Sequence, residues 1–404
     1  MATKNITGLH DRSIVVSTSG NTYNIAQNAT VLTTVGLTPP SAAIMEDPTA
    51  MPSPANNTFN IEGRVIGGDI GINLTGSNDK VHVGATGRVS GGYGIAVTGA
   101  DTAVTNDGEI IALQGSGIDA TGGDRMEFRN NGEIFGADGI VLIGVDQGLV
   151  VNGSDGDIVA LQMGVHIASG IGESAKFINH GSVFSSTFAA GFFGGLGSET
   201  VINDGTIRGG ITLSDGNDRI DNRGGTIKGE IWGGYDDDVL ITDKASDKLS
   251  EISGEGNDTV KSTVSYKLAD SVENLFLIGN ANINGTGTSY DDKLHGNSGN
   301  NIVKGLGGAD ELWGGKGDDL LAGGADADVF HFSKGNDRDT ISDFVQGTDH
   351  IDVSGWPEMG DLNDVKSHAH NDGSDVVIEL GTDSLTIKGI HKADLTGADF
   401  LFPI

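Results

Sequence analysis

Residues 287–331 read GTSYDDKLH, GNSGNNIVK, GLGGADELW, GGKGDDLLA and GGADADVFH, which are five nine-residue units in direct succession. Each unit begins with glycine and has a carboxylate or an amide at its sixth position: Asp292, Asn301, Asp310, Asp319 and Asp328. An apolar residue follows two places later in every unit: Leu294, Val303, Leu312, Leu321 and Phe330. A period this regular predicts a repeat architecture and argues against a flexible linker.

Each unit has the chemistry of a metal-binding turn followed by a short strand. Glycine permits a tight turn with inward-pointing carbonyl oxygens, and the sixth-position carboxylate adds a charged oxygen, so a hard cation fits there. The apolar residue starts a strand that buries its side chain between stacked layers. Two units make one coil, so alternate units stack. We therefore expect Asp292, Asp310 and Asp328 along one edge, with Asn301 and Asp319 along the other.

With these residues the chain resembles the RTX family, whose GGxGxDxUx nonapeptide is a calcium-binding β-helix repeat. The resemblance implies bound calcium ions that bridge successive turns through side chains and backbone carbonyls. Tyr290 and Asp326 replace an inner glycine, and Asn301 replaces a carboxylate, which predicts weak or empty sites there. The candidate ligands in the array are Asp292, Asn301, Gly305, Gly307, Asp310, Gly314, Lys316, Asp319, Gly323, Ala325 and Asp328.

The composition agrees with a layered, calcium-binding protein. The 404 residues include 66 glycines and only 5% aromatic residues, which points away from an ordinary globular core. A formal charge of -32 makes nucleic acid an improbable partner, and divalent cations would relieve the self-repulsion. Because the chain has no cysteine, disulfides and catalytic thiols are excluded, and metal binding is left as a means of stabilisation.

Targeting signals are expected at the C-terminus. The first 20 residues contain no charged start followed by an apolar run, and no stretch is long and apolar enough to span a bilayer. RTX proteins typically leave Gram-negative cells by type I secretion with an uncleaved C-terminal signal, and the ending LTGADFLFPI resembles such a tail. The resemblance therefore implies a secreted, extracellular location, at the cell surface of a Gram-negative bacterium.

The N-terminal region divides by composition. Residues 1–37 contain three β-prone runs with turn signals between them, which predicts a β-strand cap or an arm that exchanges with a neighbouring molecule. Residues 38–58 contain five of the seven prolines and are predicted to be a linker.

Residues 59–240 carry a second, longer repeat. Its anchor is a glycine followed by a variable residue and then valine or isoleucine, with spacings of 20 to 25 residues: Gly63, Gly87, Gly108, Gly132, Gly156, Gly181, Gly205 and Gly225. This period predicts a three-sided, right-handed parallel β-helix of about eight rungs. The asparagines Asn106, Asn131, Asn179 and Asn203 either stack as an internal ladder or satisfy turns. Four phenylalanines at 184–193 either fill a rung or form an exposed apolar patch.

Three aspartates bring the two repeat systems together. Asp218, Asp238 and Asp258 lie in nonapeptide-like settings at a spacing of 20 residues, which predicts that the metal-binding edge begins inside the β-helix. Residues 241–284 are interpreted as a connector of a kind common in RTX proteins. The predicted fold is therefore all-β: a β-solenoid that continues into an RTX β-roll at 285–332.

Residues 333–404 are predicted to form a C-terminal cap that carries the type I secretion signal. The chain from about 285 to 402 resembles the RTX domain of serralysin-type metalloproteases. By this resemblance Asp337 and Asp339, with Asp343, Asp349 and Asp352, complete further calcium sites, although they are equally compatible with solvated turns. A cap is needed because an open solenoid end exposes strand edges that invite aggregation.

No catalytic motif is evident. The ten histidines do not form the HExxHxxGxxH zinc motif of the serralysin catalytic domain, so proteolysis is unsupported and we predict no enzymatic activity. One alternative is a β-helix polysaccharide lyase or epimerase, with Asp119, Asp124, Arg125 and Asp146 as the candidate groups. The other is a secreted RTX effector that interacts with a host.

These patterns together predict a secreted calcium-binding protein with a structural or adhesive role. Calcium would fold the array outside the cell, where its concentration of ~1 mM exceeds dissociation constants of ~10⁻⁴–10⁻³ M for extracellular sites. The expected context is a bacterial surface layer, biofilm or extracellular matrix. The expected partners are calcium, further copies of the chain in a filament or layer, and a cell-surface polysaccharide.

Overall fold

The structure is a computed structural model that describes residues 2–33, 42–47, 49–51, 54–186, 190–252 and 254–403. The chain divides into two compact units, Met1–Tyr235 and Asp236–Ile404, called unit 1 and unit 2 below. Both units consist almost entirely of short strands. The prediction of an all-β parallel solenoid in which the RTX repeats form a β-roll is confirmed.

Unit 1 is a three-sided parallel β-helix, and its described strands form three sheets. Sheet 1 contains Thr3–Ile6, Thr22–Ile25, Thr58–Ile61, Lys80–Val83, Ala103–Asn106, Glu127–Asn130, Gly148–Asn152, Ser174–Asn179, Ser198–Asn203 and Arg219–Asp221. Sheet 2 contains Leu9–His10, Thr30–Leu32, Arg64–Ile66, Arg88–Gly91, Glu109–Ala112, Glu133–Gly136, Asp157–Ala160, Ser182–Ser185, Thr206–Arg208 and Thr226–Lys228. Sheet 3 contains Ile14–Val16, Ala42–Glu46, Ile70–Leu74, Tyr93–Val97, Ile118–Thr121, Ile140–Ile143, Val165–Ala168, Phe192–Phe193, Ile211–Thr212 and Ile231–Trp232.

The core of unit 1 follows from the alternation of side chains along each strand. In a strand, successive side chains point to opposite faces, so every second residue faces the interior of the coil. Sheet 1 shows this directly, because Val81, Val104 and Phe128 are paired in register and almost completely buried. Burial of such side chains contributes about 1.5–3 kcal/mol each, which makes the stacked interior the main source of stability in this unit.

An internal asparagine ladder runs along the last position of the sheet 1 strands and ends at Asn222, which directly follows the strand Arg219–Asp221. Each side-chain amide donates to the next asparagine at 2.6–2.8 Å, and all members are 0–1% exposed: Asn106, Asn130, Asn152, Asn179, Asn203 and Asn222. The amides also donate to turn carbonyls, such as that of Gly156. The structure therefore shows both predicted roles of these asparagines, the internal ladder and the satisfaction of turns. The prediction for Asn131 is wrong, because Asn131 is exposed and its neighbour Asn130 occupies the ladder.

The anchor glycines lie where successive coils approach most closely. A Cβ on Gly87 would collide with the carbonyl oxygen of Ile61 in the preceding coil.

The phenylalanine-rich segment at 184–193 divides between its two predicted roles, which were to fill a rung or to form an exposed apolar patch. Phe192 is fully buried and stacks on Phe177 at 5.4 Å between ring centroids, whereas Phe184 is 36% exposed. Phe188 lies outside the described residues.

The N-terminal region differs from its predicted division. Within the described residues, the strand Thr3–Ile6 pairs in register with Thr22–Ile25 of its own chain. The segment predicted to be a linker contains the strand Ala42–Glu46, which pairs with Ile14–Val16 and with Ile70–Leu74. The physical reason is that no proline falls inside this strand, so its backbone can donate along the ladder. Pro39, Pro40, Pro48 and Pro52 lie outside the described residues.

Unit 2 has a flatter, two-sheet coil. Sheet 4 contains the parallel strands Val239–Thr242, Thr259–Ser262, Asn274–Leu277, Lys293–His295, Glu311–Trp313, Val329–Ser333, His350–Gly355 and Phe400–Leu401. Sheet 5 contains the parallel strands Tyr266–Lys267, Gly285–Thr286, Ile302–Gly307, Leu320–Ala325, Arg338–Ile341 and Asp383–Ile387. Asp375–Leu380 and Ala369–Asp372 then continue sheet 5 in antiparallel fashion. Unit 2 also contains the short strand Leu249–Ser250, the helix Leu362–His368 and the 3₁₀ turn Gly397–Asp399.

The nonapeptide coil has the predicted register. Leu294, Leu312 and Phe330 are paired in sheet 4, while Val303 and Leu321 are paired in sheet 5, and all five are buried. Consecutive sheet 4 strands of the array are 18 residues apart, as two nine-residue units require. The alternation sends the sixth-position side chains of successive units to opposite sides of the coil.

Candidate metal centre

Two columns of acidic side chains follow the turns of the array. In the first column, the backbone N–H of Asp292 donates to Oδ1 of Asp310 at 2.8 Å, and the N–H of Asp310 donates to Oδ1 of Asp328 at 3.0 Å. Asp349 continues this column, because its Oδ1 accepts from the N–H of Asp328 at 3.1 Å. One oxygen of each carboxylate is thereby fixed against the preceding coil.

The second column repeats this arrangement on the other edge. The N–H of Asn301 donates to Oδ1 of Asp319 at 2.7 Å, and the N–H of Asp319 donates to Oδ1 of Asp339 at 2.8 Å. The structure therefore brings together the sixth-position residues as the sequence predicts. It also places Asp339, which follows the array, in register with them.

Four carboxylates in these columns have a second oxygen with no hydrogen-bond partner. The Oδ2 atoms of Asp310, Asp319, Asp328 and Asp339 are buried and accept no hydrogen bond, and the residues are 0–3% exposed. A buried charged oxygen without a partner is costly unless a proton or a cation compensates it. The donor set is all oxygen, which suits a hard divalent cation.

The glycines that begin each unit leave the space beside these oxygens open. A Cβ on Gly305 would collide with Oδ2 of Asp310 and would lie 2.5 Å from the carbonyl oxygen of Gly323, one coil further on. Likewise, a Cβ on Gly323 would collide with Oδ2 of Asp328. Because glycine has no side chain, each of these positions leaves a recess that is lined by a carboxylate oxygen, and at Gly305 also by a carbonyl oxygen. The residues present fit a bound cation.

Burial shifts the acid–base behaviour of these groups. Desolvation raises the pKa of Asp310 to about 8 and that of Asp339 to about 8, and neighbouring carboxylates add to both rises. Desolvation also raises the pKa of Asp319 and of Asp328 to about 6 each. Without a cation, the coil therefore favours the protonated form of these groups, because burial penalises their charge.

Two predicted ligands are satisfied by the protein itself. Oδ2 of Asp292 accepts from the N–H of Thr288 at 2.6 Å and from its hydroxyl at 3.0 Å. Asn301 donates through Nδ2 to the carbonyl oxygen of Ile283 at 2.6 Å. An amide N–H₂ group here directs hydrogen atoms at a carbonyl that a cation would otherwise need. Neither position has the unpartnered oxygen found at Asp310.

The third-position residues remain predicted ligands through their carbonyl groups. Gly307 is paired in register with Ala325 one coil further on, and the N–H of Lys316 donates to the carbonyl oxygen of Asn297 at 3.1 Å. Asp337, predicted with them, has a positive φ of 65° and accepts from the N–H of Gly317 at 3.1 Å. Its carboxylate therefore stabilises a turn of the neighbouring coil.

Upstream of the array, a compact acidic group occurs within unit 2. Asp238, Glu251 and Asp258 are buried, and one carboxylate oxygen from each lies within 4.8 Å of the others. Burial raises the pKa of Asp258 to about 7, and the charge of Glu273 adds to the rise. The sequence singled out Asp238 and Asp258 but missed Glu251, because that residue lies outside the nonapeptide pattern. These three residues could hold a cation.

Asp218 belongs to unit 1. Its Oδ1 accepts from the N–H of Glu199 at 2.6 Å, which is the same coil-to-coil bond seen in the array. The prediction that it binds metal stays a prediction.

A ladder of aromatic rings lies beside the first column and was not predicted. Phe276, His295, Trp313 and His331 stack face to face, with ring centroids 4.0–4.2 Å apart. His331 also contacts Asp352 at 2.9 Å and Glu311 at 3.2 Å. The signal was present in the sequence, since three of these rings occupy the ninth position of alternate units. The ladder holds adjacent coils in register.

Three of the four residues proposed for polysaccharide chemistry lie close together, because the backbone N–H of Arg125 donates to the carbonyl oxygen of Asp146 at 2.8 Å and the carboxylates of Asp124 and Asp146 interact electrostatically with its guanidinium. Arg125 is bound by Asp101 through two hydrogen bonds of 2.7 Å. Asp146 accepts from the N–H of Ser174 at 3.0 Å, and Asp119 contacts Ser116 and Thr121. Arg125, Asp146 and Asp119 therefore each have a local structural partner.

Comparison with known proteins identifies the array. Residues 286–321 and 305–339 match the model of the RTX calcium-binding nonapeptide repeat, in four copies. The chain thus contains RTX repeats, and calcium is the cation indicated for the recesses. No curated protein matches the sequence.

One similar solved structure is the extracellular lipase LipA from Serratia marcescens. The match has a TM-score of 0.28 and 17% sequence identity, and it covers 63% of this chain and 45% of that chain. This chain therefore spans less than half of the lipase, and a likeness of this size has no bearing on activity. Among the described residues, no helix has the length and apolar character needed to cross a membrane.

Proposed function

We propose that the protein is a secreted calcium-binding structural protein whose array folds when calcium binds outside the cell. The observation that supports this most strongly is the set of four buried, unpartnered Oδ2 atoms in two columns. In a cytosol that is low in calcium, these carboxylates repel one another and oppose folding. Outside the cell, calcium would compensate their charge and close the coil.

Four aspartates and the first-position glycines would form the calcium sites of the array. Asp310 and Asp328 on one edge, and Asp319 and Asp339 on the other, would bind calcium through Oδ2. The first-position glycines leave room for the ion, and the carbonyl oxygen of Gly323 lies beside one recess. Calcium supplies the positive charge that joins successive coils. Secretion by a type I system and release at the cell surface belong to this proposal.

Trp313 allows calcium-dependent folding of the array to be followed by fluorescence. Trp313 is stacked between His295 and His331, so its fluorescence should change when the coil forms. We expect circular dichroism and tryptophan emission to show strand formation as calcium rises to the millimolar range. Unchanged strand content and unchanged melting after chelation would overturn the proposal.

The finer role that we propose is adhesive or structural, within a surface layer, biofilm or matrix. The net charge of -32 means that copies of the chain repel one another and repel acidic polymers. Divalent cations reduce this repulsion, so calcium would favour self-association and binding to acidic polymers. Negative-stain microscopy before and after calcium addition tests self-association. Filaments or sheets that appear only with calcium are expected, and dispersed particles in both samples would contradict assembly.

A further inference from the structure

One carboxylate outside the nonapeptide array repeats the geometry of the array. Oδ1 of Asp79 accepts from the backbone N–H of Asn57, one coil earlier, at 2.7 Å. Its Oδ2 is buried and accepts no hydrogen bond from an N–H or O–H donor, and the residue is 0% exposed. Asp310 shows both of these features in unit 2. Asp79 lies in unit 1, more than 200 residues from the matched repeats.

The register of Asp79 is also that of an array ligand. It immediately precedes the sheet 1 strand Lys80–Val83, as Asp310 immediately precedes the sheet 4 strand Glu311–Trp313. The second strand residue, Val81, is buried in the same way as Leu312. The local sequence GSNDKV at 76–81 is similar to EGNDTV at 255–260, which contains Asp258.

A second buried carboxylate lies beside Asp79. Glu46 is 1% exposed, and its oxygens accept from Nδ2 of Asn57 at 3.0 Å, from the N–H of Thr75 at 2.8 Å and from the N–H of Gly76. Burial raises the pKa of Asp79 to about 8, and the charge of Glu46 and a carboxyl–carboxyl hydrogen bond with Glu46 add to the rise. Two neighbouring carboxylates in a dry interior require either a shared proton or a cation to compensate their charge.

A third oxygen in the same column also has no partner. Thr102 occupies the position of Asp79 in the next coil, is 0% exposed, and has a buried Oγ1 without a hydrogen bond. A proton shared by Asp79 and Glu46 would satisfy the carboxyl pair but would leave this hydroxyl unpaired. A hard cation accepts both carboxylate and hydroxyl oxygens as ligands.

We propose that unit 1 contains its own calcium site, formed by Asp79 and Glu46 and independent of the nonapeptide array. Glu46 ends the strand Ala42–Glu46, and Asp79 immediately precedes the strand Lys80–Val83. A divalent cation between them would tie the N-terminal coils to the body of the β-helix. Calcium would then stabilise both units through separate sites.

Hydrogen exchange of the full-length chain tests this without a substitution. We expect peptides within 54–83 to exchange at least about tenfold more slowly in 10 mM calcium than in chelator at pH 7, as occupancy near ten times Kd implies. Peptides at 305–339 report the array in the same experiment. If 305–339 responds and 54–83 does not, the unit 1 site is wrong. If neither segment responds, the proposed function fails as well.

Two matched variants test whether Asp79 is a ligand of the proposed calcium ion. Asp79→Asn keeps the shape and lets an amide donate to Glu46, so the chain should fold and bind one calcium ion fewer in equilibrium dialysis. Asp124→Asn changes an exposed turn acid of unit 1 and should leave the calcium count unchanged. An unchanged count in Asp79→Asn would overturn the site. So would protection of 54–83, measured relative to the intrinsic exchange rate at each pH, that ignores calcium and falls only as pH passes 8, because that pattern indicates a shared proton.

Discussion

At the residue scale, the pairing of a single oxygen atom separates metal-binding positions from structural ones. Oδ2 of Asp310 has no partner, Oδ2 of Asp292 accepts two hydrogen bonds from Thr288, and Asn301 offers an N–H₂ group instead. All three residues occupy the sixth position of a unit, so the repeat pattern alone treats them alike. Local donors decide which of them needs a cation.

Replacement of one array carboxylate should lower calcium-dependent stability. With dissociation constants of ~10⁻⁴–10⁻³ M, about 10 mM calcium stabilises the folded state by about 1.4–2.7 kcal/mol per site. We expect Asp310→Asn to lose about this amount in chemical denaturation with calcium. It should lose little or nothing in chelator, because it also removes a buried unpartnered oxygen.

Asp292→Asn is the matched control for this substitution. Its Oδ2 is already bonded to Thr288, so we expect a smaller change in the calcium-dependent part of the stability. Equal losses of calcium-dependent stability in the two variants would contradict the distinction between paired and unpaired oxygens.

The calcium-free array should be most stable in mild acid. Folding raises the pKa of Asp310 and Asp339 to about 8 each, and of Asp319 to about 6, above the ordinary value near 4. The folded state therefore binds more protons than the unfolded state between about pH 4 and pH 8. Stability is fully present below pH 4 and is lost as pH rises through this window.

Denaturation in chelator at pH 4.5, 6 and 8 measures this dependence. A double variant, Asp310→Asn with Asp339→Asn, should show a flatter profile than the unmodified chain. Chelated protein that becomes more stable toward pH 8 would show that these carboxylates are not the groups that limit folding.

At the scale of structural elements, the asparagine ladder stabilises unit 1 independently of metal. Nδ2 of Asn152 donates to Oδ1 of Asn179 at 2.8 Å, and its Oδ1 accepts from Asn130 at 2.8 Å. Asn152→Ala leaves Oδ1 of Asn179 buried without a donor, whereas Nδ2 of Asn130 keeps its bond to the carbonyl oxygen of Gly132 at 3.0 Å. One unpaired buried group costs about 1–3 kcal/mol, so we expect a loss of about that size in urea unfolding, with or without calcium.

Asn131→Ala is the control for the ladder, because Asn131 is exposed and its side-chain amide donates to Asp107 in a surface contact of 2.8 Å. Its effect should stay within about 0.5 kcal/mol. A comparable loss in both variants would mean that the ladder adds nothing beyond surface hydrogen bonding.

The aromatic ladder should set how readily the array closes. Trp313 contacts a ring on each face at 4.0 Å, and such pairs are worth about 0.5–1.5 kcal/mol each. Trp313→Ala should therefore destabilise unit 2 by about 1–3 kcal/mol and raise the calcium concentration needed for folding. Trp232→Ala, at a 39% exposed position of unit 1, should leave the calcium midpoint unchanged. Equal midpoints for both variants would exclude a role for the ladder.

At the scale of the whole molecule, unit 1 and unit 2 differ in the polar side chains that repeat along their buried ladders and columns. The ladder residues of unit 1 are neutral amides surrounded by valine, isoleucine and phenylalanine, whereas the columns of unit 2 are carboxylates. We expect calorimetry to resolve a transition for unit 2 that depends strongly on calcium, and a transition for unit 1 that persists in chelator and that calcium shifts only through the single proposed site of Asp79 and Glu46. A single transition that disappears on chelation would contradict this.

The sequence by itself determined the parts of this protein that repeat. The nine-residue period set the coil length, the alternation of buried Leu312 and Leu321, and the two columns of sixth-position side chains. The longer glycine period likewise determined the three-sided helix of unit 1. Such features follow from local turn geometry and from strand periodicity, both of which are visible in the order of residues.

Only the tertiary structure decided which acidic residues need a cation. Glu46, Asp79 and Glu251 are far in sequence from their partners or outside the pattern, and Thr288 removes Asp292 from the set of unpartnered oxygens. The ladder position of Asn130, in place of Asn131, was likewise set by the pleat, because a shift of one residue reverses the face. The physical reason is common to all of these cases: burial and donor supply come from neighbouring coils, which the order of residues does not reveal.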